Sequence, residues 1–259
     1  MSVFAALDLR FVATGLLGGF AVGLTGMGGG AILTPLLLAM GVPPGSAVGS
    51  DLVVSLIMKP VAGSVHAKAR NVRWDLVRWL SIGSVPAALL GSLASSRLTA
   101  HGDGPLRRAI GVTLIAAAIS MVIRSLMKRR NPTPDPTERA PLRPVPTLVL
   151  GIAGGFLVGL TSVGSGSLMV VALTLLYPSL AATELVGTDI VQAIPLVAAA
   201  AAGHLLLGNA NFGLTGALLI GGLPGAYAGA RLSARPATRV VRPALVSVLL
   251  ATGGRLLFA

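Results

Sequence analysis

Eight apolar segments take up most of this chain: residues 11–40, 47–66, 76–98, 106–126, 147–177, 185–207, 213–232 and 239–258. A helix needs about 20 apolar residues to cross the hydrocarbon core of a bilayer, and each segment reaches that length. Backbone inside lipid must satisfy its own hydrogen bonds, so such segments become helices or a closed barrel. Unbroken apolar runs, without inside–outside alternation, favour helices. The expected fold class is therefore all-α, a polytopic membrane protein. Only 11% of the 259 residues are charged, against about 25% in a soluble domain, so the chain cannot coat a water-facing surface. The net charge of +12 comes from bases in short runs between apolar segments. That pattern suits cytoplasmic loops beside anionic headgroups, not a nucleic-acid-binding face. Cys is absent, which removes disulfides, zinc–thiolate sites and iron–sulfur clusters. No cofactor and no metal site is expected.

The chain is a duplication. Residues 15–30 align with 151–166 at an offset of 136, with 10 of 16 positions identical. A two-residue step then moves the offset to 138. At that offset Gly49-Ser50-Asp51 matches Gly187-Thr188-Asp189, His66 matches His204, Asn71 matches Asn209 and Pro86 matches Pro224. Glycine bias could align Gly with Gly. It would not place Asp, His, Asn and Pro at one spacing. The halves are 1–126 and 147–259. Residues 127–146, rich in Pro and Arg, read as an exposed cytoplasmic linker. Internal duplication is the architecture of many secondary transporters. Small residues at four-residue spacing (Gly15, Gly19, Gly23; Gly151, Gly155, Gly159; Gly83, Ala87, Gly91; Gly221, Gly225, Gly229) mark faces where helices approach closely.

The first segment of each half is long and interrupted, by Gly26-Met27-Gly28-Gly29-Gly30 and by Gly164-Ser165-Gly166. Glycine costs about 1 kcal/mol relative to Ala inside a helix, so these clusters predict breaks. Either each segment spans once as a broken helix, or it re-enters and leaves on the same side. Loop charge favours the second. Eight crossings divide the loop Lys and Arg residues 12 to 7. Re-entrant segments give three full crossings per half, invert the halves, and move Arg231, Arg235, Arg239 and Arg242 inside, a 14 to 5 division. Inversion also accounts for the basic loop Lys68–Arg73 having an uncharged counterpart at Gly208–Phe212.

Breaks of this kind point backbone N–H groups and the positive end of a half-helix into the protein interior. Gly26, Gly28, Gly29, Gly30, Gly164, Ser165 and Gly166 are therefore candidate anion-binding positions. The alternative is a structural kink. Lys59 lies in the middle of segment 47–66, on one polar stripe with Asp51, Ser55 and His66, all within about 80° of arc. An ionisable residue at that depth normally faces a cavity or a partner. Lys59 is the candidate cation for an anionic substrate, the alternative being a salt bridge to Asp51 or Asp189. Asp51 and Asp189 each follow a small polar residue and read as N-caps or first-turn partners of the helix dipole, with proton coupling the alternative. His66 and His204 read as interfacial structural histidines, with pH sensing the alternative. A dinucleotide fingerprint is rejected for want of a strand–turn–helix context. A serine hydrolase is rejected because Val163 stands where a nucleophile elbow needs Gly.

The duplicated Gly-Gly-Phe-x-x-Gly-Leu-Thr run, Ala47-Val48-Gly49-Ser50-Asp51-Leu52 with Val65-His66, and Val186-Gly187-Thr188-Asp189 with Gly203-His204 resemble the sulfite exporter TauE/SafE family over nearly the whole chain outside the linker. The resemblance implies a multi-pass plasma-membrane transporter of sulfite, sulfonates or related small organic anions, with the two Gly-rich loops as its signature. Many members carry Ser where Asp51 and Asp189 stand. The reading is a secondary transporter working by alternating access, and not an enzyme. An anion-selective channel is the alternative and an intramembrane enzyme a more distant one. The expected partners are a small anion and the lipid bilayer, with a second copy of the chain as a further candidate, and no nucleic acid.

Overall fold

The computed structural model describes residues 8–25, 29–68, 71–127, 141–232 and 238–258, and among these every regular element is a helix. The first half contains α1 (Leu9–Thr25), a 3₁₀ turn (Gly29–Ala31), α2 (Leu33–Ala39), α3 (Pro44–Lys68), α4 (Trp74–Ala100) and α5 (Asp103–Met127). The second repeats the order: α6 (Pro144–Thr161), α7 (Ser167–Leu176), α8 (Ala182–Leu206), α9 (Phe212–Leu232) and α10 (Thr238–Phe258). Among the described residues, five stretches are long and apolar enough to cross a membrane: Trp74–Ala100, Asp103–Leu126, Pro144–Thr161, Thr183–Leu206 and Phe212–Gly229. Large apolar side chains such as Leu17, Ile82, Leu90, Val112 and Leu175 point outward, where hydrocarbon rather than water receives them. The protein is a multi-pass helical membrane protein. Pro144 opens α6, inside the segment expected to be linker, because a helix's first position needs no N–H.

Small residues decide which helices meet. A Cβ on Gly151, Gly155 or Gly159 of α6 would overlap the carbonyl oxygens of Leu80, Ser84 and Ala88 on α4. Gly15 and Gly19 of α1 lie in the same way against Leu218 and Gly222 of α9. In both pairs residue numbers rise together, so the helices run parallel. The first helix of each half thus packs against the fourth helix of the other half, and the halves interlock.

The third helices cross in the opposite sense. The start of α3 lies on the turn after α8: Gly49 sits beside Asn209, and Ser50 Oγ accepts the Asn211 N–H at 3.1 Å. The start of α8 lies on the turn after α3: Gly187 sits beside Asn71, and Thr188 Oγ1 accepts the Arg73 N–H at 3.0 Å. The two sets are related by the same 138-residue offset found in the sequence, and α3 and α8 run antiparallel. Gly111 of α5 and Gly253 of α10 also meet.

Candidate functional site

The expected breaks are present. Helix α6 stops at Thr161; its C-cap, Ser162, has φ +60°, and Gly164 and Gly166 have φ +128° and +100° before α7 starts at Ser167. L-residues with a Cβ rarely adopt these values, so the glycine cluster permits the break. In the first half α1 ends at Thr25 and the chain resumes in the 3₁₀ turn at Gly29; Gly26 and Gly28 lie outside the described residues, as does the side chain of His66. The hinges meet directly. A Cβ on Gly30 would overlap the carbonyl oxygen of Ser162. They meet in contact, with Gly30 and Ser162 both buried. A groove of about 600 Å³ lies instead along α4 and α6, lined by Leu93, Ala94, Arg97, Leu98, Phe156 and Leu160.

Three polar residues of the α3 stripe, Asp51, Ser55 and Lys59, are buried, and two of them reach across to the second hinge. Lys59 Nζ donates to Ser165 Oγ at 2.7 Å. Asp51 Oδ2 accepts from Thr34 Oγ1 of α2 and from Ser162 Oγ, both at 2.8 Å. The salt-bridge alternative for Lys59 does not form: the ion pair that the described residues make among themselves is Arg73–Asp75, at the start of α4. Asp51 and Asp189 nevertheless flank the ammonium within electrostatic reach. Asp189, only 2% exposed, lies beside the Gly166 amide and Gln192, with Arg124 of α5 also in range. Its Oδ1, Gln192 Nε2 and Ser167 Oγ are buried without a hydrogen-bond partner. Unpartnered groups of this kind are expensive in a dry interior.

One expectation is corrected. Asp51 and Asp189 cap nothing, because α3 already starts at Pro44 and α8 at Ala182. At the start of α8 it is Glu184 that accepts the Ala181 N–H, at 3.3 Å. His204, in the last turn of α8, is fully buried and serves structurally. Its Nε2 donates to the Gly159 carbonyl at 2.9 Å and its Nδ1 faces the Asn209 amide at 3.4 Å. A neutral imidazole satisfies both bonds, and it ties α8 to the close-packed glycine face of α6. Sequence reasoning passes over Thr34, Ser162, Ser167 and Gln192. Gln192 carried a readable signal, an amide in the middle of an apolar segment. Thr34 and Ser162 did not, since hydroxyls are common in membrane helices and only the meeting of the hinges turns them toward Asp51.

A broken helix in each half, buried charges at the breaks and lipid-facing flanks are transporter features, and comparison with known proteins decides which kind. The model of the family described as sulfite exporter TauE/SafE matches residues 11–256. The chain belongs to that family. The probable membrane transporter protein YjnA of Bacillus subtilis is 36% identical over 256 residues, covering 97% of this chain and all of the relative. The probable membrane transporter protein YdhB of the same organism is 25% identical over 218 residues, covering 83% of this chain and 86% of that one. A probable membrane transporter protein of Methanocaldococcus jannaschii is 30% identical over 164 residues, 59% of this chain and 57% of its own. No solved structure matches the chain significantly. This TauE/SafE member is thus a multi-pass membrane protein of a transporter family.

Proposed function

We propose that the protein is a secondary transporter of a small anion of the sulfite or sulfonate class, working by alternating access. The observation that carries this reading is the bond from Lys59 to Ser165, which brings an intramembrane cation from one half to the hinge of the other. The anion would dock at the start of α7, where the first amides of a helix lack intrahelical acceptors and carry the positive end of its dipole. Lys59 Nζ supplies full charge, Ser165 and Ser167 supply hydroxyls, and Gln192 supplies a buried amide beside the Asp189 carboxylate. Tetrahedral or pyramidal oxyanions present several acceptor oxygens and suit such a convergent donor set.

The halves, in this reading, are inverted in the membrane, with the Gly-rich segments re-entrant. Support comes from the antiparallel α3 and α8, whose ends are bridged by symmetry-related bonds at Ser50 and Thr188. A pseudo-two-fold axis that pairs equivalent helices antiparallel lies in the membrane plane. Contact between Gly30 and Ser162 closes the path between the halves, and parting it on one side or the other gives access. The test is uptake by purified protein in liposomes against a panel of sulfite, alkyl sulfonates and carboxylates. Saturable uptake of the sulfur oxyanions supports the reading; uptake of none of them refutes it. Unitary currents in planar bilayers would make the protein an anion channel instead.

A further inference from the structure

The interior has a second pole that anion binding does not use. Asp51 is fully buried and has no ion-pair partner among the described residues. Lys59, the nearest cation on its own helix, is about 12 Å further along the axis at 1.5 Å per residue and is engaged with Ser165. Both hydroxyls around Asp51 donate to the same oxygen, Oδ2, while Oδ1 has no partner. A proton placed on Oδ1 would find no acceptor. One of those hydroxyls belongs to Ser162, the C-cap of α6, whose N–H closes the last turn on Val158 O at 2.7 Å. The carboxylate therefore sits at the negative end of α6, where a helix dipole favours a cation and disfavours an anion. After giving their hydrogens to Oδ2, Thr34 Oγ1 and Ser162 Oγ keep lone pairs free to ligate.

A hard, oxygen-ligated positive charge is what this arrangement lacks. One carboxylate suits a single positive charge, and among the described residues no group of three His, Cys, Asp or Glu side chains could hold a multivalent metal. We propose that Asp51, Thr34 and Ser162 bind a sodium ion, and that this ion is the cation coupled to transport. Its ligands come from α2 and α3 of one half and from the hinge of the other, so the ion braces the hinge contact. The two poles of the break then carry opposite charges, the ion at the end of α6 and the anion at the start of α7. The coupling part rests on the anion reading; the ion site stands without it.

The experiment is binding of radioactive sodium to the purified protein in detergent, in choline buffer without any anionic substrate. Saturable binding is expected, together with a rise in Tm on replacing choline chloride by equimolar NaCl. Asp51→Asn should abolish both effects. Should that variant fail to fold, Ser162→Ala and Thr34→Val carry the test: each is expected to weaken sodium binding at least tenfold while the protein stays monodisperse. No saturable binding, or binding unchanged in both hydroxyl variants, overturns the site. Uptake driven by a pH gradient at zero sodium overturns it in favour of a proton on Asp51. Intact sodium binding with no anion uptake would strike the anion reading and leave the ion site standing.

Discussion

Replacing Lys59 with Met removes a buried positive charge while keeping most of the side chain's length and apolar bulk. Among the described residues its ammonium makes one hydrogen bond, 2.7 Å to Ser165 Oγ, and no ion pair, while Asp51 and Asp189 within electrostatic reach offset part of its charge. At an effective dielectric constant of about 20, a charge pair about 4 Å apart is worth about 4 kcal/mol. Substitution experiments on hydrogen bonds to charged groups return less, about 1.5–3 kcal/mol, because water and neighbours compensate. The lower range is the safer basis, and it corresponds to a loss of affinity of about 10- to 150-fold. Calorimetric titration of sulfite into purified protein would measure it. Lys59→Arg keeps the charge and should retain more affinity than Lys59→Met. Ser165→Ala removes a neutral hydroxyl and should cost less than the lysine variant. A folded, monodisperse Lys59→Met protein that binds within twofold of the parent would refute the assignment of Lys59 to the anion.

Three further outcomes follow from the geometry. Gly155→Val on α6 should lower Tm sharply, because its Cβ would overlap Ser84 O and overpacking costs about 1–3 kcal/mol or more. Gly216→Ala on α9, with nothing near the added carbon, should raise Tm slightly through better helix propensity. His204→Ala should destabilise by about 1–3 kcal/mol, since the buried Gly159 carbonyl loses its donor; a Tm equal to the parent's would show that the bond contributes nothing. For topology, single cysteines introduced by Ala210→Cys and Arg70→Cys into this Cys-free chain should react differently with an impermeant maleimide added outside. Labelling at 210 alone supports inverted halves, whereas labelling at both positions, or at 70 alone, refutes them.

The sequence by itself determined that the chain is helical and membrane-spanning, that it is duplicated, and where its helices break. These properties follow from local chemistry: apolar length sets the solvent, glycine clusters interrupt helices wherever they occur, and a repeated string needs no partner to be recognised. It also determined that Gly151, Gly155 and Gly159 lie on a packing face, though not that α4 is what they meet. Only the tertiary structure decided partnership. It made the α1–α9 and α4–α6 pairs interlock the halves, turned Lys59 to Ser165 rather than to a carboxylate, and brought Ser162 onto Asp51 across 111 residues of chain. Local sequence misplaced Asp51 and Asp189 as caps because a helix start depends on where a turn can close, at Pro44 and Ala182, and small polar residues inside a membrane helix imitate that signal. Which polar groups face one another depends on distances between elements far apart in the chain, and no window along the sequence contains them.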